Sequence, residues 1–104
     1  SVAGSEYREK LPSLLPNCHK IKPPLDENAL DRIETRLKRR DVAAFIMEPV
    51  SINLGVCVPR PGFMEGLRAL CTRYRTLLIL DEVACGFGRT GRIFASEHWD
   101  AEPD

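Results

Sequence analysis

The sequence predicts an α/β fold, a partial and mostly parallel sheet with a βαβ crossover. Three observations carry that expectation. Val42 to Met47 and Leu77 to Leu80 are continuous apolar runs, too short for helices, and each is ended by a carboxylate, Glu48 and Asp81. Such runs read as strands covered on both faces, which is the condition of a parallel sheet. Between them, residues 61–75 carry apolar side chains at helical spacing, as the crossover between two parallel neighbours requires. Glu48 and Asp81 then share one rim of the sheet, the carboxyl edge at which open α/β sheets take their ligands.

Taken in order, residues 1–25 are rich in proline and read as an irregular connection, with only His19 to Lys22 suited to a short strand and Tyr7 and His19 expected in ordinary packing. The clearest helix is expected over 26–40. Asp26 can cap it, Glu27 and Asp31 come early, and Arg36, Lys38, Arg39 and Arg40 come late, as the helix dipole favours. Leu30, Ile33 and Leu37 form a narrow apolar stripe, and Glu34 faces Lys38 one turn on. The strand at 42–48 ends at Glu48-Pro49, and Ser51 to Gly55 follow as a loop. In the helix at 61–75, Phe63, Leu67, Leu70, Cys71 and Tyr74 share a face, and Pro61 suits the first turn. The strand at 76–81 leads into residues 82–104, a turn and tail.

Composition narrows the function. The 104 residues allow one domain, and 15 basic against 15 acidic side chains produce no overall field toward nucleic acid or an acidic membrane surface. The basic run from Arg36 to Arg40 lacks interleaved aromatics and reads as a solvated helix end. Cys18, Cys57, Cys71 and Cys85 form no C-x-x-C pair, and no His stands at zinc-ligand spacing, so reduced thiols in the cytoplasm are expected and no metal. Neither a signal peptide nor a membrane-spanning run is expected.

Three kinds of site place acids at the end of a buried strand. Gly86-Phe87-Gly88-Arg89-Thr90-Gly91 matches the dinucleotide fingerprint G-x-G-x-x-G, but here five residues separate it from the strand, the acids come first, and Arg92 to Trp99 is short for the crossover helix. An aliphatic strand ending Asp-Glu also suits a magnesium-nucleotide site, yet no G-x-x-x-x-G-K-[ST] accompanies it.

The third kind rests on a resemblance. Asp81-Glu82-Val83, two further residues, and Gly86 to Gly91 resemble the class III aminotransferases of the ornithine, acetylornithine, GABA and ω-amino acid type. Ala43 to Val50, with its strand ending Glu-Pro, Pro61 to Cys71, Phe94 to His98 and Pro103-Asp104 resemble the same family in the same order, over essentially the whole chain. The resemblance implies a part of the large domain of the fold type I transferases that use pyridoxal 5'-phosphate. It implies that Asp81 pairs with the pyridine nitrogen, that Val83 packs on a ring face, that Glu48 stands near the cofactor, and that Glu82 is a structural partner. It also implies a homodimer acting on an amino donor and a keto acid or aldehyde acceptor. The cofactor-linking lysine is expected beyond Asp104 and the phosphate loop before Ser1, because Lys10, Lys20, Lys22 and Lys38 stand in unmatched contexts. The chain alone is therefore expected to be inactive.

Departures from the family pattern bear on substrate. Asn53 stands where many relatives carry a small or acidic residue, and Asn-x-Gly there also resembles the glutamate-1-semialdehyde aminomutases. Ala84 cannot make the contact to the cofactor's phenolic oxygen that Gln makes in some relatives. Cys85 next to it is open to exposure, with nothing nearby to lower its thiol pKa. Trp99 and His98 are expected to pack. Beside the enzyme reading stands a non-catalytic scaffold or interaction module, in which Glu48, Asp81 and Val83 are merely structural.

Overall fold

The computed structural model describes residues 16–52 and 55–104. The elements, in chain order, are α1 (Glu27–Leu37), β1 (Ala44–Met47), α2 (Phe63–Tyr74), β2 (Leu77–Leu80) and a 3-10 turn (Ala95–His98). The strands form a two-stranded parallel sheet, with Ala44 opposite Leu77 and Met47 opposite Leu80. The crossover between them is α2, as the spacing of the apolar runs required.

Local chemistry sets the ends. The Asp26 carboxylate accepts from the Ala29 amide at 3.0 Å and starts α1, satisfying one of the unpaired donors of a helix N-terminus. The helix stops at Leu37 rather than continuing to residue 40, where Arg40 has a left-handed φ of 55°. Pro61 lies outside α2, because Gly62 at φ 81° is the residue that turns the chain into the helix. The segment from His19 to Lys22 forms no strand; its ends are tied to α1 instead, His19 to the Arg36 guanidinium at 3.0 Å and the Lys22 carbonyl to Arg32 at 3.1 Å. Tyr7 and Asn53 lie outside the described residues.

The core is a single layer of two helices against one sheet face. Ala29, Ile33 and Leu37 from α1 meet Phe63, Met64, Leu67, Cys71 and Tyr74 from α2, with Leu78 from β2 and Ala101 from the tail. The helices approach closely at Gly66, where an added Cβ would lie 2.6 Å from Leu30 Cδ1. Polar ties bind the same elements at their edges. Glu34 accepts from the Tyr74 hydroxyl at 2.9 Å and from Arg73 at 3.1 Å, and pairs with Lys38 at 3.3 Å. Asp104 Oδ2 accepts from the Leu78 amide at 2.9 Å and from Arg68 at 2.7 Å, joining the tail to β2 and α2.

The strands are not covered on both faces. Leu78 is fully buried, while Leu77 on the opposite face is 53 % exposed, and Ile46 and Ile79 on that side are exposed as well. Side chains alternate across a strand, so a continuous apolar run contains the residues for two covered faces. Within the described residues, only one cover, the helical layer, is present.

Candidate functional site

The two strand-end acids stand at the same edge of the sheet, each one residue past the paired ends Met47 and Leu80. The ladder runs one residue beyond β2, because the Asp81 amide donates to the Met47 carbonyl at 2.8 Å. Asp81 is therefore held level with the Glu48 end of β1. Its side chain is exposed, and Oδ1 accepts from the Val83 amide at 3.0 Å. That i to i+2 bond is an Asx-type turn, and it bends the chain sharply off the strand. Val83 is left 95 % exposed, an apolar side chain standing beside a carboxylate. Glu48 is half-buried, and its Oε2 accepts from the Ile52 amide at 3.3 Å, which ties the loop after β1 to the rim.

Glu82 is tied to the 3-10 turn instead. Burial pushes its carboxyl upward, but the amides of Ser96 and Ala95 outweigh it and hold the group below the ordinary carboxylate range. These two bonds measure 2.8 Å to Ser96 and 2.5 Å to Ala95. The resemblance assigned Glu82 a structural part, but its partners lie thirteen and fourteen residues on, and only the folded chain identifies them.

The glycine segment forms turns, not the start of a nucleotide-binding helix. Gly86 donates to the Glu82 carbonyl at 2.8 Å, Arg89 to Gly86 at 3.3 Å and Gly91 to Gly88 at 3.1 Å. After Gly91 the next regular element is the short turn Ala95–His98. A helix N-terminus aimed at a pyrophosphate is therefore missing among the described residues, as the position of the acids had suggested. His98 hydrogen-bonds Thr90 and meets Trp99 edge to face at 6.1 Å, so both rings pack against their neighbours.

Cys85 is buried rather than exposed, and burial raises its thiol pKa. Its place under the turn after Asp81, with Gly86 also buried beside it, explains the difference. Among the described residues no cluster of His, Cys, Asp or Glu could hold a metal ion, and no helix is long and apolar enough to cross a membrane.

An unpaired carboxylate oxygen beside a bare apolar side chain suits a flat heterocycle that carries a positive charge at one edge. Among the described residues Asp81 Oδ1 takes the Val83 amide and Oδ2 takes no donor. The residues present thus fit the nitrogen-bearing side of a pyridoxal phosphate ring.

Comparison with known proteins gives the same direction. The family model for class-III aminotransferases matches residues 1–104. The chain is 48 % identical over 83 residues to a glutamate-1-semialdehyde 2,1-aminomutase from Syntrophobacter fumaroxidans, covering 78 % of this chain and 19 % of that one. It is 46 % identical over 77 residues to the mitochondrial ornithine aminotransferase of Rattus norvegicus, covering 74 % of this chain and 18 % of that one. Its fold superposes on an ornithine aminotransferase from Plasmodium yoelii with a TM-score of 0.73 at 37 % identity, covering 80 % of this chain and 21 % of the other. The chain thus spans about a fifth of the length of the curated relatives it matches. With its parallel strands, its strand-end acids and a family match over its entire length, the chain belongs to the class-III aminotransferases.

Proposed function

We propose that this segment forms the ring-nitrogen side of a pyridoxal 5'-phosphate site in an enzyme that moves an amino group between an amino donor and a keto acid or aldehyde. The observation that carries the reading is the place of Asp81, an exposed carboxylate fixed through its own backbone to the end of β1. When bound, the cofactor supplies a ring that withdraws electrons from the substrate carbon next to the transferred nitrogen. Asp81 holds a proton at the ring nitrogen, because an opposite charge within hydrogen-bonding reach favours the charged form of its partner. Val83 covers one ring face and keeps water from it. Glu48 fixes the loop from Val50 to Ile52 through the Ile52 amide and so shapes the rim behind Asp81.

Two further points complete the reading. The bare sheet face bearing Leu77, Ile79 and Ile46 supports packing against further parts of a larger enzyme and assembly as a homodimer. The four cysteines are free, which supports a reducing, cytoplasm-like compartment. An intramolecular amino shift is the second reading, favoured by the 48 % identity to an aminomutase.

The test is Asp81→Asn in the full-length protein carrying this segment. Folding should be unchanged, since the amide oxygen still accepts from Val83, and the rate of amino-group transfer should fall by about 100-fold, roughly two pKa units of lost stabilisation. A variant as fast as the parent protein means that Asp81 does not serve the ring nitrogen.

A further inference from the structure

The glycine-rich stretch from Gly86 to Gly91 is left unexplained by a site built on Asp81, Val83 and Glu48. It lies within a longer excursion, Val83 to Phe94, that leaves the sheet at Glu82 and returns to Glu82. The two carboxylate oxygens are divided between consecutive amides. Oε2 takes Ala95 at 2.5 Å and Oε1 takes Ser96 at 2.8 Å, at the start of the 3-10 turn. The backbone of the same residue closes the near end, where the Gly86 amide donates to the Glu82 carbonyl at 2.8 Å.

A second observation points to the same closure. A Cβ on Gly86 would lie 2.8 Å from the Glu82 carbonyl oxygen and 3.3 Å from Glu82 Cβ. Glycine is required there by the close approach of Glu82 itself. Within the excursion, Gly88 pairs back to Ile93 at 3.3 Å, and His98, just beyond it, donates from Nε2 to the Thr90 carbonyl at 2.9 Å. Apart from the buried Cys85 thiol, which also reaches the Val50 backbone, these hydrogen bonds are local, and Glu82 holds the two ends together.

We infer that Glu82 is a positioning residue: by clasping both ends of the 83–94 excursion it fixes the place of its two neighbours, Asp81 and Val83, at the rim. The inference rests on the proposed role of those neighbours. Asp81 and Val83 flank Glu82 in sequence, and Val83 is exposed with few contacts of its own to hold it. An untied excursion leaves Val83 free to swing about the Asp81 turn, whereas a tied one presents a single surface.

The experiment compares Glu82→Ala, Glu82→Gln, Glu97→Ala and Asp81→Asn in the full-length protein. Glu97 is the control because its carboxylate caps the same 3-10 turn locally, at the Phe94 amide, without spanning the excursion. Hydrogen exchange of peptides covering 83–96 is followed in the cofactor-free protein, and cofactor affinity is measured by titration with pyridoxal phosphate. In Glu82→Ala, exchange over 83–96 should quicken and the cofactor dissociation constant should rise, each by about 10-fold, the scale of losing charge-assisted hydrogen bonds. Glu82→Gln keeps one acceptor oxygen, stays folded and should lie between Glu82→Ala and the parent protein, while Glu97→Ala should leave affinity unchanged. Unchanged exchange in both Glu82 variants overturns the clasp. Faster exchange with unchanged affinity overturns the positioning role and leaves a structural tie. If affinity changes in Asp81→Asn but not in the Glu82 variants, only this inference fails. If Asp81→Asn is silent in both affinity and transfer rate, the cofactor reading beneath it fails as well.

Discussion

The Asp81 amide donates to the Met47 carbonyl at 2.8 Å, so the last bond of the parallel ladder belongs to the residue that carries the candidate chemistry. Strand pairing and site geometry are therefore one feature. A change that loosens the sheet also moves Asp81 relative to Glu48, so stability and site geometry should change together.

Leu78 is the strand residue on which the helical layer rests. Its side chain is fully buried among Phe63, Leu67 and Cys71, so Leu78→Ala leaves a cavity. The expected loss is about 2–5 kcal/mol, seen as a lower urea midpoint. Leu77→Ser on the bare face should change stability by less than about 0.5 kcal/mol and reduce self-association of the isolated chain in sedimentation velocity. Equal losses for the two variants contradict a one-sided core.

Two glycines should respond in opposite ways to an added methyl group. At Gly66 the new Cβ meets only the flexible end of Leu30, and helix propensity favours alanine by about 1 kcal/mol, so Gly66→Ala should be close to neutral. At Gly86 it meets the Glu82 carbonyl, and Gly86→Ala should cost about 1–3 kcal/mol. Thermal melts of the pair decide the matter.

The thiols should divide into two classes. Burial pushes Cys71 up to about 11 and also raises Cys85, whereas Cys18 is exposed and Cys57 half-buried. At pH 8 only about a thousandth of Cys71 is thiolate, against roughly a quarter of an ordinary cysteine. An aromatic disulfide reagent should therefore titrate Cys18 and Cys57 quickly and reach Cys71 and Cys85 only after denaturation. Rapid native labelling of Cys71 is the contrary result.

Acid should weaken the fold through carboxylates that work as acceptors. The Leu78 amide, then Arg68, holds Asp104 below its usual range, and the Tyr74 hydroxyl, then Lys38, does the same for Glu34. Glu82 is lowered in the same sense. A depressed folded pKa gives stability that is present above the unfolded carboxylate value, about 4, and is lost as pH falls through the folded value. Urea midpoints should thus be level from pH 7 to about 5 and decline below 4, with a shallower decline in Asp104→Asn. A decline beginning near pH 6 contradicts this carboxylate account.

Much of this was legible from residue order. The stripe of Ile33 and Leu37, the Asp26 cap and the Phe63 to Tyr74 face are local patterns, and each stands where periodicity placed it. Parallel pairing followed from two apolar runs and a helix between them, and it brought Glu48 and Asp81 to one rim. What sequence could not supply was long-range. Leu77 and Ile79 are apolar as if covered, but an apolar run does not say where its cover comes from. The ties of Glu82 to Ala95 and Ser96, and of Asp104 to Leu78, join residues far apart in the chain through side-chain-to-backbone bonds that no periodicity encodes. Pro61 fits a first helical turn by propensity, and Gly62 took the bend instead because only a left-handed φ makes it without strain.

Because the detour from Val83 to Phe94 departs from and returns to a single residue, Glu82, its closure depends on the carboxylate that takes Ala95 and Ser96. Loss of those two amide bonds should therefore release the whole detour as one unit, ahead of the strands beneath it.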